Sequence, residues 1–393
     1  RWSTPLTSWV VAGVLAGSAA IPAAWAGRVE ARREIAAAYL ARLAAPEDPE
    51  LEEAHQALAE AAIRFGRYPE AIAALERQLA QDRGNRVSWE LAGSARLKQA
   101  FVLWGQGQDA LPEFAAGIAA CTRAVELAPD RPGARLGRGD VLLGRSQFLA
   151  HRGSSPLPDT ESAQADYARA LELAPEDPKA WMRSGGGWTN RGSWRFSRGE
   201  GGEEDFRRAE ADYAKAIGLD PGDAEAWTVL GIVRRSLARV VSARGGDPRP
   251  EYARCIEAHD TALACNPSAG QAWLERGQAR FELARWLAGR GEDPRETWAD
   301  ALADLGRAAE ELPGSAAAAN ARGLAHMNRA IYAIQRGQDA GQDLEAALAA
   351  HGEAIARNAA EFVGWLYRGM VLVNRATWEI RRGDDPGEDF RKA

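Results

Sequence analysis

Lysine is scarce: of 49 basic residues only Lys98, Lys179, Lys215 and Lys392 are lysine, and the rest are arginine. The 55 acidic residues outnumber them, for a net charge of −6. No basic field is available, so binding to nucleic acid or anionic lipid by bulk charge is excluded. The arginine bias instead reads as the composition of a GC-rich genome. Cysteine is also rare. Cys121, Cys255 and Cys265 are too few for a disulfide scaffold and match no metal-ligand spacing. With 46% apolar and 26% charged residues the chain is neither a disordered polyampholyte nor a multi-span membrane protein.

Charge is missing altogether from residues 2 to 27, and Leu6–Ala26 is mostly apolar or small. At ~1.5 Å per residue such a stretch spans one hydrocarbon core, with Trp9 and Trp25 near its ends at the two interfaces. Ala24-Trp25-Ala26 before Gly27 also has the small-x-small form of a signal-peptidase site. A single span anchoring the chain to a membrane, an export signal and a buried N-terminal helix are the three readings. The chain opens on Arg1 without a methionine. It closes on Ala393, where the register begins a second helix. An internal piece of a longer protein is the expectation, with the apolar face of residues 361–382 left uncovered.

A repeat decides the architecture. Glycine recurs every 46 residues at Gly93, Gly139, Gly185, Gly231, Gly277, Gly323 and Gly369, and again at 107, 153, 199, 245, 291, 337 and 383. Tryptophan stands four residues before the first column at Trp89, Trp181, Trp227, Trp273 and Trp365, with Arg135 and Ala319 in the remaining places. Proline recurs at 129, 175, 221, 267 and 313. Each unit reads as a helical hairpin. The segment from Trp227 to Arg244 has apolar residues at 3–4 spacing, and Gly245 ends it as a left-handed residue. In the Arg-Gly-x-Asp-Pro runs at Arg244–Pro248, Arg290–Pro294 and Arg382–Pro386, the Asp is expected to cap the next helix and the Pro to occupy its first turn. Asp293 with Glu296, and Asp385 with Glu388, have capping-box spacing.

These residues resemble the tetratricopeptide repeat family, with its W-x2-L-G-x2-Y, A-x3-F-x2-A and P pattern. The copy nearest that pattern has Leu58, Phe65-Gly66-Arg67-Tyr68, Glu70-Ala71 and Leu75. Before it, Ala37, Ala41, Ala44 and Pro49 look like a second helix without its first. The later units exceed the family's 34-residue period by twelve, all between the Trp and the small residue opening the second helix. About seven of these lengthen the first helix and five the second, giving a taller hairpin. In the added turns a small column (Ala100, Ser146, Gly192, Ala238, Ala284, Ala330, Ala376) and a large one (Val102, Phe148, Trp194, Val240, Trp286, Tyr332, Trp378) should pack hairpin on hairpin.

The expected fold is therefore all-α: a right-handed superhelical solenoid of stacked antiparallel hairpins, preceded by an N-terminal hydrophobic helix. Residues 1–27 form the hydrophobic segment, 28–49 a helical linker, 50–85 a standard-length repeat, and 86–393 seven elongated repeats, the last truncated.

Chemistry is sparse. HExxH, GxSxG, GxxxxGK[ST], HRD and DFG are all missing. The Gly-rich Ser184–Trp188 lies inside a first helix and lacks the context of a phosphate loop. His259 and His351 hold the aromatic place that Tyr213 holds in its own repeat, and packing is their expected role. Cys121 and Cys255 read as small buried side chains. No catalytic residue, cofactor or metal site is assigned. Binding is better motivated: first helices of stacked hairpins line a groove suited to extended peptides or partner helices. Asn190-Arg191, Asn328-Arg329 and Asn374-Arg375 are the candidate groove residues, the amide for a peptide backbone and the guanidinium for carboxylates. The sequence reads as a non-catalytic protein-interaction scaffold. The alternative follows from a further resemblance, to repeat arrays of planctomycete-type bacterial proteins, some of which join a serine/threonine kinase, a single span and a repeat-bearing region. It is the sensor or docking region of a membrane-anchored kinase.

Overall fold

The computed structural model describes residues 62–359 and 362–387, with 56, 59, 60 and 391 singly. The expected membrane span, the lone second helix before the first repeat and their boundaries lie outside the described residues. Among the described residues there is no strand, and no helix is long and apolar enough to cross a membrane.

Helix α1 (Tyr68–Gln81) closes the standard-length repeat. Then first and second helices alternate. The first helices are α2 (Arg86–Gly105), α4 (Pro132–His151), α6 (Pro178–Ser197), α8 (Ala224–Ala243), α10 (Gly270–Arg290), α12 (Ala316–Gln335) and α14 (Phe362–Arg382). The second helices are α3 (Leu111–Leu127), α5 (Leu157–Leu173), α7 (Glu203–Leu219), α9 (Arg249–Cys265), α11 (Arg295–Glu311) and α13 (Gly341–Arg357). First helices have 20 or 21 residues and second helices 17, the tall hairpin read from the spacing.

The chain divides into two compact units, residues 1–194 and 195–393. In the first, α2 packs on α3 and on α4, and α4 packs on α5. In the second, α8 packs on α9, α10 on α11 and α12 on α13, while each first helix also touches the next, from α8 through α14. A first helix is thus covered by its own second helix and by the following first helix.

Two glycine columns shape every hairpin. The second column has positive φ throughout, from 68° at Gly337 to 85° at Gly383. At Gly245, φ 81°, the amide donates to the Ser242 carbonyl at 2.9 Å, and Gly246 donates back to Val241 at 3.0 Å. This is the left-handed helix ending that only glycine adopts cheaply. The first column serves contact. A Cβ on Gly231 would stand 2.4 Å from Cε1 and Nε2 of His259, and one on Gly139 would stand 2.4 Å from the Tyr167 ring. Gly93 faces Cys121, Gly277 faces Leu305 and Gly323 faces His351 in the same way. Hence Cys121 does not fill a small-residue place, as the sequence reading had it. It stands in the Tyr167/His259 column, its thiol in the space above Gly93, while Cys255 does hold a small place. Burial pushes both thiols up to about 12.

The junction chemistry also differs from expectation. Pro248 and Pro294 are themselves the N-caps of α9 and α11, not first-turn residues, and no side chain caps either helix at that position. Asp247 and Asp293 stand one residue earlier and accept the amide of Arg249 (3.0 Å) and Arg295 (3.1 Å). The intervening proline has no N–H, so a carboxylate one residue further out reaches only the first helical amide, an Asx turn, and the Asp293–Glu296 capping box does not form, while Glu388 lies outside the described residues. Side-chain caps occur instead on first helices: Asn85 accepts from Ser88 N, Asp223 from Ala226 N and Ser315 from Ala318 N.

The added turns are core. Ala100, Ser146, Ala238, Ala284, Ala330 and Ala376 are fully buried. Beside them Phe148 lies edge-on to Trp104 at 5.6 Å, and Tyr332 to Trp298 at 4.9 Å. Val102 departs from the pattern and is exposed.

Candidate interaction surface

The tryptophan column ties hairpins to the ones before, except at Ala319, which has no side-chain donor. The indole N–H of Trp227 donates to the Pro221 carbonyl at 3.0 Å, Trp181 to Pro175 at 2.8 Å and Trp273 to Pro267 at 2.9 Å. Trp89 and Trp365 reach Arg83 and Ala359 in the same manner. Where the column holds Arg135, its Nε donates to Pro129 O at 3.1 Å. Any long side chain with a planar N–H donor reaches that carbonyl.

Arginine-carboxylate forks close the hairpins internally. Arg145 grips Asp159 through two bonds of 2.6 Å. Arg329 grips Asp343 at 2.8 and 2.6 Å, fourteen residues on in both cases. A second set spans 28 residues: Arg138 on Asp166, and Arg276 on Asp304. Asp166 and Asp304 are buried, so each carboxylate depends on its bidentate partner. Burial alone would raise the Asp343 carboxyl, but hydrogen bonds from His326 and Arg329 outweigh it and hold it below the ordinary range. In Asp140 burial prevails, and the carboxyl is raised despite bonds from Arg183 and Tyr167.

Most of the candidate groove residues are engaged inside the chain. The Asn328 amide donates to Leu324 O, and the Asn374 amide to Met370 O, each at 2.8 Å one turn back along its own helix. Ser236, in the same column, likewise bonds Ile232 O. Asn190 has a buried Nδ2 without a hydrogen-bond partner. Arg191 lies over the Trp188 ring at 4.4 Å, Arg329 is held by Asp343, and Arg375 stands 3.9 Å from Glu379. The arginine of this column closes the hairpin in the repeats where the fork is seen, Arg145 on Asp159 and Arg329 on Asp343.

A different pair was missed. Arg239 on α8 and Arg285 on α10 are 46 residues apart, exposed, and on successive first helices of one unit. Among the described residues neither has a carboxylate in ion-pair reach. Arg239 lies 5.8 Å from the Phe196 ring centroid, and Arg285 5.7 Å from that of Phe281. The signal was present in the sequence: four residues on stand Ala243 and Gly289, neither of them acidic. Beside them Arg235 bonds Glu275 and Glu282, and the Tyr252 hydroxyl donates to Glu282 at 3.1 Å, which fixes the floor of this surface.

The histidines are interior. His259 is fully buried with both ring nitrogens unpartnered, and its pKa is lowered to about 3 by burial and by Arg235 and Arg276. His351 is fully buried with Nδ1 3.0 Å from Asn320 Oδ1, and burial lowers its pKa to about 4. No cluster of three potential metal ligands occurs among the described residues.

No family model matches the chain, and no curated protein does. Solved structures do resemble it. A tetratricopeptide repeat protein from Parabacteroides merdae is 14% identical with a TM-score of 0.47, over 82% of this chain and 98% of that one. YrrB, described as a TPR protein with an unusual peptide-binding site, is 17% identical with a TM-score of 0.35, over 63% of this chain and 96% of its own. A thermophilic TPR protein of Thermus thermophilus is 16% identical with a TM-score of 0.39, over 58% of this chain and 98% of its own. The repeat resembles a tetratricopeptide hairpin. Gly231 under His259, the Trp227 tie and the left-handed Gly245 carry that statement from this chain's own geometry, in an elongated form.

Proposed function

We propose that the chain is a non-catalytic protein-interaction scaffold that holds an extended, acidic peptide segment of a partner protein along its first helices. The observation that carries this reading is the unpaired Arg239 and Arg285, presented one repeat apart on α8 and α10 in a molecule whose other arginines largely grip its own carboxylates. Guanidinium groups left free at a repeat spacing suit carboxylates along an extended chain, and the adjacent Ser236 and Asn328 column offers polar contact with its backbone. Their half-buried neighbours Phe196 and Phe281 restrict the arginines and reduce the entropy lost on binding.

The test is selection from a random peptide library on the intact chain, followed by affinity measurement. Acidic peptides should be enriched. Arg239→Ala with Arg285→Ala should weaken binding at least tenfold, and Asn328→Ala with Asn374→Ala by less. Selected peptides without acidic residues, or affinities indifferent to the arginine pair, would sink the reading. The kinase-docking alternative draws on the tall repeat with its Arg-Gly-x-Asp-Pro junction and on the uncharged N-terminal segment, and kinase motifs in the upstream reading frame would be its support.

A further inference from the structure

Arg239 on α8 and Arg285 on α10 belong to one column of the repeat, and the next member is Ile331 on α12, 46 residues further on. All three lie in the second unit, where α8 touches α10 and α10 touches α12. Across these helices the column therefore runs guanidinium, guanidinium, branched alkyl. Ile331 is half-buried, and it packs on the cluster of Met327, Ile334 and Leu344, which fixes its place. Three residues earlier on each helix stand Ser236, Glu282 and Asn328, a polar column. Ser236 and Asn328 each donate one hydrogen bond to a carbonyl of their own helix, and each keeps an oxygen able to accept an N–H.

A ligand lying across the three helices must bring matching side chains to one face at the spacing of the helices. Packed helices stand about 8–10 Å apart between axes. A β-strand returns side chains to the same face at ~6.8 Å or, skipping one, at ~13.6 Å, and both miss that interval. A polyproline II helix turns once in three residues with a rise of ~3.1 Å, so every third side chain shares a face at ~9.3 Å. An α-helix comes to ~10.5 Å at seven residues, but its backbone is bonded internally and it needs an apolar bed, which Ser236, Glu282 and Asn328 do not make. The polyproline II backbone has no internal hydrogen bonds and is free to donate to that polar column. We propose that the ligand is held as a polyproline II helix whose side chains, three residues apart, are acidic, acidic and apolar. The carboxylates meet Arg239 and Arg285, and the apolar side chain meets Ile331. This register rests on the acidic-peptide reading and adds to it the ligand's conformation and its third, uncharged position.

The probes are fluorescein-labelled peptides carrying Glu-Pro-Ala-Glu-Pro-Ala-Leu or the reverse order, titrated into the intact chain and read by anisotropy. One of the two orders should bind with saturation. Moving the second Glu to a spacing of two or four residues should weaken binding about tenfold, a series that needs no variant of the chain. Ile331→Ser should weaken binding of the Leu peptide and leave unchanged that of a peptide with Ser in place of Leu, which separates a lost contact from a damaged fold. Arginine-dependent binding that is equal at all three spacings, or indifferent to the Leu, overturns the register and leaves the acidic-peptide reading standing. Tighter binding by a helical peptide with acids seven residues apart does the same, as does failure of both orders while acidic peptides are still selected from the library. Binding that Arg239→Ala with Arg285→Ala does not alter removes the acidic-peptide reading, and the register with it.

Discussion

At the residue scale, the glycine facing a large ring is the most sensitive contact. Gly231→Leu must displace the His259 ring, which is fully buried and has nowhere to go. A loss of about 1–3 kcal/mol is expected, seen as a lower midpoint and faster amide exchange in α8 and α9. An unchanged melting curve would remove this contact from the account. The same histidine makes the fold acid-sensitive. Its pKa falls from 6.5 to about 3 on folding, and that of His351 to about 4. The unfolded chain then binds protons that the folded chain refuses. Stability contributed by the neutral rings is present above pH 6.5 and is lost as pH falls below it. The loss approaches ~1.4 kcal/mol per pH unit for each ring, until the folded pKa is reached. Denaturant midpoints between pH 7 and 4.5 should show this slope, halved by His259→Tyr, since tyrosine fills the same place at position 167. Equal slopes in the two proteins would contradict it.

At the element scale, the columns of the sequence announce the helices and their ends, because glycine at a left-handed bend and a missing Cβ at a crossing leave their mark on residue identity alone. The Arg-Gly-x-Asp-Pro junction was legible as a boundary but not in its bonding. Whether Asp247 is the N-cap or closes an Asx turn one residue outside it depends on which position the proline occupies, and a one-residue shift decides it. The bonding of the Asn-Arg pairs was hidden for a related reason: sequence shows that Arg329 lies on a first helix, whereas its carboxylate partner is on the returning helix. Asp343 is half-buried in that fork, so a double-mutant cycle on Arg329→Ala and Asp343→Ala should return a coupling of about 1 kcal/mol, and zero coupling would show the fork idle. Gly245→Ala should cost ~1 kcal/mol from its φ of 81° alone, read by chemical denaturation, with no change in the α8–α9 packing.

At the scale of the molecule, an all-helical stack was plain from the 46-residue period and an open apolar face over residues 361–382 was expected from it, while which arginines grip a carboxylate on another helix needed coordinates. Circular dichroism of residues 46–393 should be almost wholly helical, and appreciable strand signal would refute the fold. The tryptophan tie has a consequence for how such a chain can grow or shrink. Because Trp227 and Trp273 make the same bond to the same kind of bend, excising residues 227–272 would join Ala226 to Trp273 with every joint re-formed, Pro221 now receiving the indole of Trp273. Genes built this way can lose or duplicate a whole storey without redrawing the staircase.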